Sequence, residues 1–218
     1  DPEVHRIAGG SSSGSAVALA AGACGFSIGS DTGGSVRQPA ALCGLVGYKA
    51  SHGTWPADGL FALSPTLDRI GWFAVSASDA ATIYAALRDE PAAGARPVRG
   101  MRLGKTMDAF FDDLEPTIER RMNEAVTTLV AAGAEIVPVE VPEARELEDF
   151  TPIIPIELIA RLGRSRIAAS QHLIDPLALA RLVGVTIDAA DYLALVARQQ
   201  DLCRRIAGRM AGLAACRT

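Results

Sequence analysis

The sequence contains very little lysine. Its 218 residues include 21 basic side chains, yet the only lysines are Lys49 and Lys105, so arginine supplies most of the positive charge. Against 25 acidic residues the formal net charge is −4, and no long basic block is present. A nucleic-acid partner is therefore not expected, because such partners are bound by clustered basic side chains.

Cysteine, histidine and long apolar runs are also scarce. The four cysteines and three histidines are scattered without a C-x-x-C pair, which disfavours a metal site, and no cofactor is predicted. Cys24 and Cys43 lie in apolar runs and are expected to be buried free thiols. No apolar stretch reaches the about 20 residues that span a bilayer, and no signal peptide is evident, so the sequence favours a cytoplasmic location without a membrane partner.

The composition that remains is that of a folded protein. Hydrophobic residues make up 49% of the chain and charged residues 21%, which is far from a disordered profile. The length suits one sizeable core, or one domain with an incomplete second. The chain begins with Asp1-Pro2-Glu3 and stops just after an amphipathic helical stretch, so we expect a central fragment of a longer protein, incomplete at both ends.

Helix and strand patterns alternate along the chain and predict an α/β fold, with a mixed β-sheet core covered by helices on both faces. The first half is expected to contain a helix over 16–23, a strand over 24–30, a helical turn and strand within 36–50, a loop-rich segment over 51–77, a helix from Ser78 or Asp79 to about Arg88 and a linker over 91–100. The second half is expected to contain a strand over 101–107, a helix over 116–132, a strand over 135–141 and helices from 153 onward.

Two glycine- and serine-rich loops, Gly9–Ser15 and Asp31–Ser35, flank the first predicted helix and strand. A helix of roughly nine residues rises about 14 Å, and a strand of about five residues covers about 16 Å. A strand that returns along the helix would therefore bring the second loop back to the first. The segment lengths predict that Ser11 and Ser35 face each other.

The second loop suits acyl-transfer chemistry. Gly33 and Gly34 permit an unusual backbone bend and a close approach of ligand to main chain. Successive N–H groups from Thr32 to Ser35 can converge on an oxygen that develops negative charge, where one donor is typically worth about 3–4 kcal/mol of barrier. A serine hydroxyl needs a base to become a good nucleophile, and the cluster around Ser11 is a candidate relay for its proton.

These motifs resemble the signature region of the amidase-signature family. The resemblance is carried by GGSSSGSA at 9–16, GSDTGGSVRQPA at 29–40, CGLVGYK at 43–49 and LSPTLDRIG at 63–71. It is dense over residues 3–90 and thins toward 141. It implies an amidase-signature domain over 1–218, divided into a signature core (1–90), a βαβ-like unit (101–141) and a helical substrate-side region (142–218).

The resemblance also implies the roles of individual residues. Ser35 matches the nucleophile of a Ser–cis-Ser–Lys triad that hydrolyses carboxylic amides through an acyl-enzyme, and Ser11 matches the serine that follows a cis peptide bond. The oxyanion hole corresponds to the main-chain N–H groups of Thr32, Gly33, Gly34 and Ser35. Supporting positions correspond to Ser12, Asp31 and Arg37, the last two more simply as an ion pair that holds the loop.

The family's catalytic lysine lies N-terminal to the first loop, and no lysine precedes Gly9 here. Lys49 matches a lysine downstream of the nucleophile, and Lys105 matches nothing catalytic. Three functions therefore stay open. They are a small-molecule amidase, a glutaminase-type subunit of a tRNA-dependent amidotransferase, and an inactive truncated domain that only binds. A homodimer is left open as well.

Alternative explanations exist for individual residues. The first loop could be a flexible linker, or a G-x-S-x-G nucleophile elbow completed by His52 and His172 if a strand preceded it. The histidines are more simply surface or satisfied groups. The aromatic residues after the nucleophile are expected mainly in the core, with a pocket wall as the alternative: Trp55, Phe61 and Trp72.

Overall fold

The computed structural model describes residues 6–91, 94, 96–106 and 112–214. The α/β class is confirmed. In chain order the elements are α1 (Ser13–Ala20), β1 (Ser27–Asp31), α2 (Arg37–Leu42), β2 (Val46–Lys49), β3 (Arg69–Ala74), α3 (Ala77–Arg88), β4 (Arg102–Thr106), α4 (Pro116–Ala131), β5 (Glu135–Val139), a 3-10 helix (Pro142–Phe150), α5 (Ile153–Leu162), α6 (Arg164–Ala169), a 3-10 turn (Gln171–Leu173), α7 (Pro176–Gly184) and α8 (Ala189–Arg209).

The chain separates into two compact units. The first contains Asp1–Gly94 and Ile154–Ile174, and the second contains Ala95–Ile153 and Asp175–Thr218. The boundary near residue 94 falls inside the segment that the sequence predicts as a linker.

The first unit is built on a three-stranded antiparallel sheet in the order β1-β3-β2. Its central strand, β3, lies in the segment over 51–77 that the sequence predicts to be loops, so that prediction is wrong for Arg69–Ala74. Gly71 interrupts the apolar pattern by which a strand is recognised in the sequence. A Cβ there would clash with the main-chain carbonyl of Tyr48, so the glycine is a packing requirement of a close strand approach.

The first unit has a buried hydrophobic cluster and a separate group of packed aromatic rings. The cluster consists of small and branched side chains and one aromatic residue of β3: Ala16, Leu19, Val36, Ala40 and Phe73. Trp72 is fully buried and stacks on Tyr48, with 4.2 Å between the ring centroids. Trp55 makes an edge-on contact with Trp72, with 5.5 Å between their ring centroids. Trp72 is therefore a core residue, as expected, whereas Phe61 is 68% exposed.

Two local expectations are wrong. Cys24 is exposed, because it follows the end of α1 in a turn rather than lying inside a buried strand, and Cys43 is a half-buried free thiol. The cap of α3 is Ser76, whose hydroxyl accepts a hydrogen bond from the Asp79 N–H, and not Ser78 or Asp79 itself.

The second unit contains the predicted strand–helix–strand. Strands β4 and β5 are parallel and α4 connects them, with Gly104 opposite Val137 in the register. The sequence predicts one mixed sheet, but the described strands do not form a single sheet. Its antiparallel and parallel parts form two separate sheets, because each strand pairs within its own compact unit.

The second unit also has an ionic brace between the 3-10 helix Pro142–Phe150 and α8. Glu143 is 2% exposed and accepts hydrogen bonds from Arg209 at 2.9 Å and from Arg205 at 3.4 Å. The hydrogen bonds from Arg209 lower the pKa of Glu143. Within the described segments, none of the helices combines the length and apolar character required to cross a bilayer.

Candidate functional site

The two serine loops meet, as the segment lengths predict. The Ser12 N–H donates to the Ser35 carbonyl at 3.2 Å, which joins the two loops by their main chains. Strand β1 runs back along α1 and is tied to it by two further bonds, from the Ser15 hydroxyl to the Ile28 carbonyl at 3.0 Å and from the Ser27 hydroxyl to the Ser15 carbonyl at 2.8 Å. The convergence of the loops therefore rests on contacts along the whole helix–strand pair.

Three glycines, one from each strand of the sheet, make room for Val36, the residue after Ser35. A Cβ on Gly29 would lie 3.0 Å from the Val36 side chain, one on Gly71 would lie 3.2 Å from it, and one on Gly47 would lie 3.0 Å from the Val36 carbonyl. Val36 is fully buried. The loop Asp31–Ser35 is therefore seated on the sheet by one buried side chain directly after Ser35.

The first loop is ordered by its surroundings, which rules out a flexible linker. Its Gly10–Ser11 peptide bond is cis, as the resemblance implies for Ser11. Ser11 is exposed, Ser35 is half-buried, and the Ser12 hydroxyl donates to the Ser30 carbonyl at 3.3 Å. Among the described residues, 6–9 contain no strand, so the strand that a nucleophile elbow needs does not precede Gly10.

Asp31 binds the main chain of the loop that it begins. Its carboxylate is fully buried and accepts main-chain N–H bonds from Gly34 at 2.8 Å, Val36 at 3.2 Å and Arg37 at 3.3 Å. The Arg37 guanidinium donates two more bonds at 3.0 Å, so the expected ion pair is present. Burial alone would raise the pKa of Asp31, but the hydrogen bonds from Arg37 and Val36 outweigh burial and lower this pKa to about 2.

The predicted oxyanion donors differ in whether their N–H groups already donate a hydrogen bond within the protein. Of the four predicted oxyanion donors, the Gly34 N–H already donates to the Asp31 carboxylate at 2.8 Å. Gly34 has a φ of +121°, which is the unusual bend expected of this loop. In the described part of the chain, the N–H groups of Thr32, Gly33 and Ser35 donate to no protein acceptor. These three N–H groups are the candidate anion site.

A second buried carboxylate, Asp68, touches the loop and was not found from the sequence. The Thr32 hydroxyl donates to Asp68 at 2.5 Å, across 36 positions of the chain. Only the motif LSPTLDRIG, which contains Asp68, signalled that this segment belongs with the site. The partner itself could not be identified from spacing.

Of the described histidines, neither His52 nor His172 forms a hydrogen bond with the two serine loops. The His52 ring contacts the Arg69 guanidinium, and His172 lies in the 3-10 turn Gln171–Leu173. His5 lies outside the described residues. In the part of the chain that the structure describes, no group of three His, Cys, Asp or Glu side chains could hold a metal ion.

The cis bond before Ser11 and the contact between the two serine loops agree with the resemblance to the amidase-signature family. The chain belongs to the Amidase family, which it matches over residues 3–190. A solved structure described as an amidase is 30% identical, with a TM-score of 0.83 over 94% of this chain and 47% of its own.

Two relatives illustrate the breadth of the family. A subunit of glutamyl-tRNA(Gln) amidotransferase from Synechococcus sp. (strain RCC307) is 37% identical over 175 residues, which is 73% of this chain and 36% of that protein. The 2-amino-5-chloromuconic acid deaminase of Comamonas testosteroni is 39% identical over 153 residues, 68% of this chain and 33% of that protein. The chain thus spans about a third of the length of these curated relatives.

Proposed function

We propose that the full-length protein hydrolyses a small carboxylic amide by acyl transfer to Ser35. The observation that carries this proposal is the junction of the two serine loops, where the Ser12 N–H meets the Ser35 carbonyl at 3.2 Å. This junction brings the residue after the cis bond beside a loop whose N–H groups at 32, 33 and 35 donate to no acceptor among the described residues.

The proposed reaction uses each part of this arrangement. The Ser35 hydroxyl attacks the amide carbonyl while its proton passes to Ser11, which gives its own proton to a base. The tetrahedral oxyanion accepts bonds from the open N–H groups of Thr32, Gly33 and Ser35. The relay then returns a proton to the leaving nitrogen, so ammonia or an amine departs. Water repeats the sequence on the acyl ester, which releases the acid and restores the Ser35 hydroxyl.

The proposal assigns the base to a lysine outside the printed sequence. Lys49 lies on β2 and Lys105 lies on β4 of the second unit, and neither position corresponds to the family's base. Fluorophosphonate labels an activated serine by forming an O–P bond and releasing fluoride. Labelling of the full-length protein but not of the 218-residue chain would support this assignment. Equal labelling of both would contradict it.

A glutaminase-type subunit is the second candidate, because the Synechococcus relative bears the name of an amidotransferase subunit. That role predicts selective hydrolysis of glutamine and co-purification with partner subunits. A small-molecule amidase predicts neither. A homodimer and a cytoplasmic location stay predictions, which size-exclusion with light scattering and cell fractionation would test.

The direct test compares Ser35→Ala and Ser11→Ala in the full-length protein against a panel of amides, with release of ammonia or amine as the readout. Turnover should fall by at least about 10³-fold in Ser35→Ala, because the covalent step is lost. Ser11→Ala should be comparably severe, because the proton relay is interrupted. The matched control is Ser78→Ala, which removes an exposed hydroxyl on α3. Turnover retained in Ser35→Ala would eliminate Ser35 as the nucleophile.

A further inference from the structure

Asp68 holds the nucleophile loop at a point that Asp31 does not reach. Its side chain is only 7% exposed. One oxygen accepts the Thr32 hydroxyl at 2.5 Å, and the other accepts the N–H groups of Leu63 at 2.7 Å and Ser64 at 3.0 Å. Asp68 therefore links the first of the open N–H residues to the segment 61–68.

The same segment is held from its other side by helix α5. The Glu157 carboxylate accepts the Ser64 hydroxyl at 2.5 Å and the Thr66 N–H at 3.1 Å, and it also accepts the Thr66 hydroxyl. Ser64 is fully buried. One helical turn further along α5, the Arg161 guanidinium lies 4.8 Å from the centre of the Phe61 ring. Residues four apart lie on the same face of a helix, so Glu157 and Arg161 contact this segment from a single face of α5.

We propose that Asp68 and Glu157 are positioning residues that hold the Thr32 N–H in the geometry of the anion site. This inference rests on the proposed function of Ser35. The connection runs from Glu157 through Ser64 to Asp68 and then to the Thr32 hydroxyl. Every contact in it is a hydrogen bond to a carboxylate, the stronger kind of protein hydrogen bond.

The need for this tether follows from the glycines that come next. Asp31 fixes the loop from Gly34 onward, whereas Gly33 can adopt many backbone conformations. Thr32 is β-branched and stiff at χ1, so a hydroxyl held by Asp68 also restrains the backbone to which it is attached. Without the tether, the half of the loop that contains Thr32 and Gly33 has no side-chain anchor among the described contacts.

The consequence is a selective effect on rate. An oxyanion donor acts on the charge that develops in the transition state and contributes little to the affinity for the ground state. Loss of the tether should therefore slow the reaction of Ser35 with a bound reagent and leave binding of that reagent nearly unchanged. A merely structural role would lower stability without this split.

The test uses Thr32→Val in the full-length protein, because Asp68→Asn would also disturb Leu63 and Ser64. Fluorophosphonate labelling is measured at rising probe concentration, which separates the maximal rate from the half-saturating concentration. The maximal rate should fall about tenfold, less than the 10²–10³-fold typical of complete loss of one donor. Thr32→Ser keeps the hydroxyl and should recover most of this loss. Thr82→Val is the matched control, since its hydroxyl bonds within exposed α3.

A double-mutant cycle tests the contribution of Glu157. Glu157→Gln alone should lower the maximal labelling rate several-fold, and it should have almost no further effect when combined with Thr32→Val, since both act through the same connection. Additive losses would remove Glu157 from the proposal. An unchanged maximal rate in Thr32→Val, or equal losses in Thr32→Val and Thr32→Ser, would overturn it entirely. If Ser35→Ala still labels at the wild-type rate, the proposed function itself has failed instead.

Discussion

Replacement of Asp31 by asparagine probes the anchor of the loop Asp31–Ser35. Asparagine keeps the shape of the side chain but has one acceptor oxygen in place of two. The two carboxylate oxygens of Asp31 receive five hydrogen bonds, three from main-chain N–H groups and two from Arg37. The amide NH2 of the variant must therefore face donors, which leaves buried N–H groups unsatisfied.

The expected loss of unfolding free energy follows from the lowered pKa of this carboxyl. A pKa that falls from 3.8 to about 2 on folding means that the ionised group stabilises the folded state by about 2 kcal/mol. Breaking a buried ion pair on one side costs about 3–5 kcal/mol. The Arg37 side chain is 53% exposed and can be rehydrated, which reduces that cost. We expect Asp31→Asn to lower the free energy of unfolding by about 2–4 kcal/mol at pH 7.

The assay is urea unfolding of the full-length protein, followed by the fluorescence of tryptophans such as buried Trp72 in the same unit. Because the folded pKa of Asp31 is lowered, its contribution is fully present above about pH 4 and is lost as the pH falls toward about 2. The difference in the free energy of unfolding between wild type and Asp31→Asn should therefore become smaller as the pH falls from about 4 to about 2. The exposed Asp58→Asn serves as the control. Equal stability at pH 7, or a gap that stays constant down to pH 2, would refute the reasoning.

Two further substitutions probe contacts inside each unit, and the midpoint of urea unfolding is the measurement. Gly71→Ala should destabilise by about 1–3 kcal/mol, because its Cβ meets a main-chain carbonyl. Gly25→Ala, with open space around it, should not, and equal midpoints for the two would contradict the packing argument. Glu143→Gln should lower the midpoint above about pH 4, where the ionised carboxylate is paired with Arg209, whereas exposed Glu148→Gln should leave it unchanged.

The local elements and the meeting of the serine loops could be predicted because their signals are local. Small apolar residues between two Gly/Ser loops fix the lengths of α1 and β1, and lengths alone bring the loops together. Pro116 and Gly133 likewise mark the ends of α4 to within a residue or two. The resemblance supplied the roles of Ser11 and Ser35, which spacing by itself could not assign.

What could not be predicted depends on contacts distant in the chain. Strand β3 was missed because Gly71 interrupts its apolar pattern, although the glycine is what lets β2 approach. The bond from Ser64 to Glu157 joins positions 93 residues apart, and no local pattern marks such a pair. The engagement of the Gly34 N–H by Asp31 was equally invisible, since a sequence shows which donors exist and not which are already used.

The central claim is that Ser35 is the nucleophile. The most direct measurement is to label the full-length protein with fluorophosphonate, digest it and locate the phosphonylated residue by mass spectrometry. We predict a single adduct on the peptide that contains Ser35, and strongly reduced labelling when Ser11 is replaced by alanine. An adduct on Ser11 or Ser13, with Ser35 unmodified, would contradict the account.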